Sequence, residues 1–73
     1  MQAQVMDRET IRSVQRRLNQ LGYRAGPEDG IMGPQTRRAI SAYQAQSDME
    51  PNGLLTPDLV DRMMAGSTGK SAN

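Results

Sequence analysis

Residues 29–40 read Asp-Gly-Ile-Met-Gly-Pro-Gln-Thr-Arg-Arg-Ala-Ile, and a degraded copy follows at 52–63, Asn-Gly-Leu-Leu-Thr-Pro-Asp-Leu-Val-Asp-Arg-Met. Asp-Gly and Asn-Gly are turn dipeptides, because glycine tolerates positive φ and the Asx side chain hydrogen-bonds its own backbone. Proline suits the first position of a helix, where its missing N–H would have no partner. Each copy therefore predicts a tight turn, two apolar anchors and a helix opened by proline.

Aligning the two copies defines the repeat position by position. The matched pairs are Gly30 with Gly53, Ile31 with Leu54, Met32 with Leu55, Pro34 with Pro57, and Ile40 with Met63. This repeat predicts two helices. We expect the first to run from Pro34 to about Gln46. We expect the second to begin at Pro57 after the N-cap Thr56 and to end before Gly66. The apolar face of this second helix comprises Leu59, Val60, Met63 and Met64.

A further helix is predicted ahead of the repeat. Asp7 is a good N-cap, since its carboxylate can accept from exposed amides and favours the positive end of the helix dipole. The apolar residues that follow recur at helical spacing and form one stripe: Ile11, Val14, Leu18 and Leu21. Gly22 lies where a helix would end in the left-handed conformation. The sequence therefore predicts a helix over residues 8–21.

These patterns together predict an all-α fold, a compact three-helix bundle with long structured loops. We expect a flexible leader over 1–6, the helical domain over 7–65 and a disordered tail over 66–73, where the residues are small and polar. A chain of 73 residues has room for one small domain, which we expect to be monomeric.

Composition excludes several classes of function. The chain has no cysteine and no histidine, so it cannot form disulfides and lacks the commonest metal ligands. We therefore expect no cofactor and no metal. Nucleophilic catalysis lacks its usual residues, and Glu28 and Asp29 are adjacent, so they are poorly placed to face each other across a glycosidic bond. We therefore expect no enzyme activity.

Nucleic-acid and membrane partners are also disfavoured. A helix-turn-helix needs a turn of roughly three or four residues, and both predicted connections are much longer. The net charge of +1 predicts no strong attraction to polyanions. No run approaches the roughly 20 apolar residues of a membrane span. No signal peptide is recognisable either.

Several segments in order resemble the peptidoglycan-binding-domain-like family. The matching segments are Val14-Gln15-Arg16-Arg17-Leu18, Leu21-Gly22-Tyr23, Asp29 through Thr36, Ala39-Ile40, Tyr43-Gln44, Asn52-Gly53 and Thr56-Pro57 with Leu59. The resemblance covers about residues 8–64 and implies a compact three-helix fold. It also implies a non-catalytic module that targets an attached enzyme or envelope protein to the bacterial cell wall, in the periplasm or outside the cell.

The chain departs from the family at two positions that are commonly aromatic there, where it has Met32 and Tyr43. With two tyrosines and no Trp or Phe, little aromatic surface is left for stacking on sugars, so we expect peptidoglycan stem peptide to be bound in preference to the glycan strand. The alternative is a protein–protein interaction domain of the same fold that docks a partner protein or its own catalytic domain.

The candidate ligand-binding residues combine charge, amide groups and one aromatic ring. They are Tyr23, Arg24, Arg16, Arg17, Asp29 and Gln44. An arginine guanidinium binds a carboxylate through two parallel hydrogen bonds. A stripe of arginines runs along the first helix and consists of Arg8, Arg12 and Arg16. The alternative for these arginines is a solvated helix face. Tyr23 could form a groove wall or pack under the first loop.

The loop residues also have a purely structural interpretation. Turn geometry and helix starts by themselves call for Gly22, Gly30, Gly33, Pro34, Asn52, Gly53 and Pro57. Asp29 could act in the same way. Gln15 and Gln44 lie at the edge of the buried stripes, where each could brace loop amides and carbonyls or present its amide to a bound peptide.

Overall fold

The computed structural model describes residues 7–71, and the side chains of residues 7–64. Three helices follow in order: α1 (Arg8–Gln20), α2 (Pro34–Gln46) and α3 (Pro57–Ser71). The described residues outside them form turns and loops. The predicted all-α, three-helix fold is therefore confirmed, with both α2 and α3 opened by the prolines of the repeat.

The helix ends follow from local chemistry. Asp7 caps α1, because its side chain accepts from the backbone N–H of Thr10 at 3.1 Å. The Thr56 hydroxyl accepts in the same way from the N–H of Leu59 at 3.3 Å. At the other end of α1, Gly22 adopts φ +90° and the N–H of Tyr23 bonds the carbonyl of Leu18 at 2.8 Å. This pairing is a Schellman motif, which satisfies carbonyls that the helix leaves open.

The core is built from one face of each helix and a few loop residues. Its buried apolar members are Ile11, Val14, Leu18, Ala25, Ala39, Ile40, Leu55, Leu59 and Met63. Met32, Tyr43 and Val60 are half-buried against them. Helix α1 contacts both α2 and α3, so it is the central element of the bundle.

Four apolar residues are exposed although the sequence placed two of them on apolar helix faces and two as loop anchors. Leu21 is 43% exposed because it is the C-cap of α1, where the chain leaves the helix. Ile31 and Leu54 are 60% and 41% exposed. Neighbouring side chains of an extended segment point in opposite directions, so only Met32 and Leu55 turn inward. Met64 is exposed because it lies about 100° around α3 from buried Met63.

The end of α3 also differs from the prediction. The helix runs through Ser71, whereas the sequence predicted that it would end before Gly66. Glycine lowers helix propensity by about 1 kcal/mol without forbidding helical dihedral angles, and no proline follows to stop the helix. The predicted disorder of 66–73 stays a prediction. The predicted leader, 1–6, and the last two residues lie outside the described part of the chain.

Candidate functional site

Gln15 fastens the first loop to α1. This side chain is 1% exposed, and its Oε1 accepts from the N–H of Gly30 at 2.8 Å. Its Nε2 donates to the carbonyl of Ile31 at 2.9 Å and to the Thr36 hydroxyl at 3.1 Å. A buried amide with every polar atom paired holds the loop in a single conformation.

Gln44 does the same for the second loop. It is 4% exposed, and its Oε1 accepts from the N–H of Gly53 at 2.9 Å. Its Nε2 donates to the Asn52 Oδ1 at 3.0 Å and to the carbonyl of Leu54 at 3.3 Å. Both polar atoms of Gln44 are therefore engaged within the chain, which favours the bracing interpretation over contact with a ligand.

Each turn begins with an Asx side chain that bonds the backbone two residues on. Asp29 Oδ1 accepts from the N–H of Ile31 at 3.0 Å, and Asn52 Oδ1 accepts from the N–H of Leu54 at 2.9 Å. The backbone N–H of Ile31, with the Gln15 amide and the nearby Arg8 guanidinium, holds the pKa of Asp29 below its ordinary value of 3.8. Asp29 is exposed, so its carboxylate remains accessible at the surface.

The first turn packs directly on the start of α1. Gly30 has φ +77°, and a Cβ added there would lie 2.7 Å from the backbone oxygen of Arg8. The Arg8 Nε also donates to the carbonyl of Asp29 at 3.2 Å. Only glycine permits this approach of two backbones. The contact fixes Arg8 and Asp29 side by side.

The candidate arginines occupy different surroundings. The Arg16 side chain is 71% exposed, with its Nε 3.7 Å from the Glu28 Oε1. Arg17 donates to the Gln20 Oε1 at 3.2 Å, while its Nε is buried without a partner among the described residues. Exposed single ion pairs of this kind contribute about 0–1 kcal/mol, so they leave Arg16 available for another anion.

Arg24 adopts a backbone conformation that is uncommon for its residue type. Its φ is +48°, in the left-handed region, and the residue is exposed. The Arg24 carbonyl accepts from the Gln35 Nε2 at 3.3 Å, which ties this part of the loop to α2. The surrounding loop thus holds the Arg24 guanidinium in solvent at some backbone cost.

Tyr23 is half-buried against the core. Its ring meets that of Tyr43 edge to face, with centroids 6.0 Å apart and planes at 81°. This geometry suits the quadrupoles of the two rings. Tyr43 is half-buried as well. Both tyrosines therefore commit part of their surface to packing within the chain.

Two cavities border Asp29. The smaller, about 150 Å³, lies between the first loop and the start of α2, with Gln15, Pro27 and Gln35 among its lining residues. The larger, about 480 Å³, lies between the first turn of α1 and residues 28–29, and Arg8 and Arg12 line it. Asp29 is the candidate that reaches both cavities. Gln44 lies near the end of α2, where it braces the second loop, and it lines neither cavity.

Apart from Asp29, the residues that line the larger cavity lie outside the ligand-binding set predicted from the sequence. The arginine stripe indicated Arg8 and Arg12, yet nothing in the spacing showed that residues 28–29 would lie against them.

Within the described residues, no group of three or more Asp and Glu is placed to hold a metal ion. In that same part of the chain, no helix is long and apolar enough to cross a membrane.

Residues 7–63 match the family model described as "Putative peptidoglycan binding domain", so the chain belongs to that family. Relatives include the proteins named Localization factor PodJL from two strains of Caulobacter vibrioides, NA1000 / CB15N and ATCC 19089 / CIP 103742 / CB 15. Each is 43% identical over 49 residues, which are 67% of this chain and 5% of the relative. The chain thus spans about one twentieth of these relatives' length. No solved structure matches it.

Proposed function

We propose that this chain is a non-catalytic module that binds peptidoglycan through its first loop and the adjoining face of α1. Through it, a larger protein would be held at the bacterial wall, in the periplasm or at the cell surface. The observation that carries this proposal is the family match, which spans residues 7–63 and includes all of the first loop. Tethering raises the local concentration of an attached domain even when the single contact is weak.

The stem peptide is the part of peptidoglycan that this surface fits better. Sugars are commonly bound by aromatic faces, and the rings of the two tyrosines here pack partly against each other. Exposed charged groups are plentiful instead, with Arg16, Arg24 and Asp29 on or beside the first loop. Stem peptides carry carboxylates that a guanidinium can bind in a bidentate manner.

Sedimentation with purified sacculi tests the proposal. The chain should sediment with sacculi at low salt, and sedimentation should fall as salt rises, because exposed charges are screened. Replacing Arg24 with Asn removes the guanidinium and keeps a residue type that tolerates the left-handed conformation. Arg24→Asn should weaken binding by several-fold, since one exposed ion pair contributes about 0.2–1 kcal/mol.

The matched control is Arg38→Asn, which removes an exposed arginine of α2 that lines neither cavity beside Asp29. Its sedimentation should equal that of the parent. Tyr23→Ala combined with Arg24→Ala should also weaken sedimentation, with circular dichroism checking that loss of the Tyr43 contact has not unfolded the domain. A parent chain that stays in the supernatant at low salt would remove the wall-binding proposal.

The second candidate is a protein–protein interaction domain of the same fold. Its support is the relatives' name, which describes a localization factor and not a wall enzyme. The exposed apolar side chains of Leu21, Ile31 and Leu54 could serve such a contact. Two results together would favour this candidate. The chain would fail to bind sacculi, and the immobilised parent would retain a defined envelope protein that the Ile31→Ser variant does not retain.

A further inference from the structure

The 480 Å³ cavity at the start of α1 has walls of both charge signs. Its lining consists of two arginines, Arg8 and Arg12, and three carboxylates, Glu9, Glu28 and Asp29. A simple anion would meet three like charges there and a simple cation would meet two. A ligand that carries an ammonium and a carboxylate close together satisfies both kinds of wall.

Three of the residues that line the cavity, Arg8, Glu28 and Asp29, are held by hydrogen bonds. Asp29 accepts from the N–H of Ile31 at 3.0 Å, and its carbonyl accepts from the Arg8 Nε at 3.2 Å. Glu28 accepts from the Asn19 Nδ2 at 3.2 Å. The close approach of Gly30 to the Arg8 backbone holds the two sides of the cavity together. A ligand would therefore find the walls already in place, which reduces the ordering cost of binding.

The remaining groups are free to face a ligand. Among residues 7–64, the side chains of Arg12 and Glu9 take part in none of the hydrogen bonds or ion pairs, and the Arg8 side chain uses only its Nε. Arg8 and Arg12 lie one helical turn apart, about 6 Å along the axis, so both can reach one carboxylate. Glu9 lies beside them and can accept from an ammonium.

The geometry points to a binding site for a zwitterionic amino-acid group, with the carboxylate on Arg8 and Arg12 and the ammonium on Glu9. Within peptidoglycan, this chemistry occurs at the free end of diaminopimelate in stem peptides that are not cross-linked. The inference rests on the proposed function for its choice of ligand. It names a cavity beside the first loop and predicts a preference for uncross-linked, diaminopimelate-containing wall.

The test compares two stem tripeptides by titration of the ¹⁵N-labelled chain, followed by amide chemical shifts. One tripeptide carries meso-diaminopimelate, and the other carries lysine, which keeps the side-chain ammonium and lacks the carboxylate beside it. Shifts should centre on residues 8–12 and 28–29, and the diaminopimelate tripeptide should bind about fivefold more tightly than the lysine one. Equal affinities would overturn the inference.

Variants of the free wall residues sharpen the comparison. Arg12→Gln should reduce the preference to near unity, because it removes a contact to the carboxylate that only the diaminopimelate tripeptide carries. Glu9→Gln should weaken the binding of both tripeptides and keep the preference, because both carry the ammonium. Arg38→Gln on α2 is the control and should keep the full preference. An unchanged preference in Arg12→Gln would also overturn the inference, and so would a Glu9→Gln variant that binds both tripeptides as tightly as the parent.

The two proposals can fail separately. If the chain sediments with sacculi but shows no preference between the tripeptides, wall binding stands and the zwitterion site falls. If it binds the diaminopimelate tripeptide but not sacculi, the site stands and the wall-targeting function falls.

Discussion

Gln15 and Gln44 make matching hydrogen bonds, each to its own Asx-Gly turn. In both, Oε1 accepts from the glycine N–H, at 2.8 Å for Gly30 and 2.9 Å for Gly53. In both, Nε2 donates to the carbonyl of the next residue and to the Asx side chain. The sequence repeat is therefore also a repeat of buried polar contacts. Where the two copies of the repeat differ, one copy serves as the control for a substitution in the other.

Asp29→Asn should fold normally and lose less stability in acid than the parent. The second copy has Asn52 at this position, which shows that an amide oxygen can accept the same bonds. The pKa of Asp29 is lowered in the fold, so its carboxylate stabilises the protein above the ordinary pKa of 3.8. That stabilisation is lost as pH falls through the lowered value.

Thermal melting at pH 7 and near pH 2 measures this difference. The parent should lose more melting temperature between the two pH values than Asp29→Asn does. Asp61→Asn is the control, because Asp61 is exposed on α3 and its side chain accepts none of the side-chain hydrogen bonds among residues 7–64. Identical acid losses in the parent and Asp29→Asn would show that the Asp29 charge does not stabilise the turn.

Gly30→Ala should destabilise the fold more than Gly53→Ala. Both glycines have positive φ, +77° and +71°, so both changes carry a strain of about 1–2 kcal/mol. At Gly30 the new Cβ would also meet the Arg8 backbone at 2.7 Å, whereas at Gly53 its nearest neighbour, the Arg37 oxygen, is 3.4 Å away. Overpacking adds about 1–3 kcal/mol. Urea unfolding should separate the two variants, and equal losses would mean that the turn can move away from α1.

Local signals allowed much of the fold to be predicted from sequence. The starts of α2 and α3 follow from Gly-x-x-x-Pro at residues 30–34 and 53–57, and the start of α1 from Asp7. These signals act within a few residues, so the sequence displays them directly. The positions of Ile31 and Leu54 could not be predicted, because an apolar pair does not reveal which member faces inward.

The candidate site was harder to predict because long-range contacts form it. Asp29 lies beside Arg8, 21 residues away, through one side-chain bond and the close approach of Gly30. The glycine suggested a turn, but nothing local indicated which helix it would contact. Gln44 was a candidate for ligand contact, and only its burial and its three partners favour bracing.

Asp48→Gly should stabilise the protein, and Gly22→Ala should destabilise it. These residues follow the C-caps of α2 and α1, and both have positive φ, +62° and +90°. The N–H of the next residue closes each helix by bonding a carbonyl five residues back, at 2.8 Å in both. Asp48→Gly relieves backbone strain, but glycine also gives the unfolded chain more conformational freedom. We expect a net gain of roughly 0.5–1 kcal/mol in the free energy of unfolding.

Urea unfolding of both variants measures these effects. A Cβ at Gly22 would meet nothing within 4 Å, so Gly22→Ala reports backbone strain without a clash and should cost about 1–2 kcal/mol. Loss of stability in Asp48→Gly would show that the Asp48 side chain contributes more than its φ costs.

Leu18→Ala should destabilise the domain far more than Leu21→Ala, although both belong to the stripe that the sequence predicted. Leu18 is 0% exposed in the core, and Leu21 is 43% exposed at the C-cap. Truncating a buried leucine costs about 2–5 kcal/mol, because it removes transfer free energy and leaves a cavity. A domain of this size has little stability to spare, so Leu18→Ala should approach global unfolding at room temperature. Leu21→Ala should stay within about 0.5 kcal/mol of the parent. Circular dichroism melts compare the two directly, and similar melting temperatures would mean that α1 does not pack through Leu18.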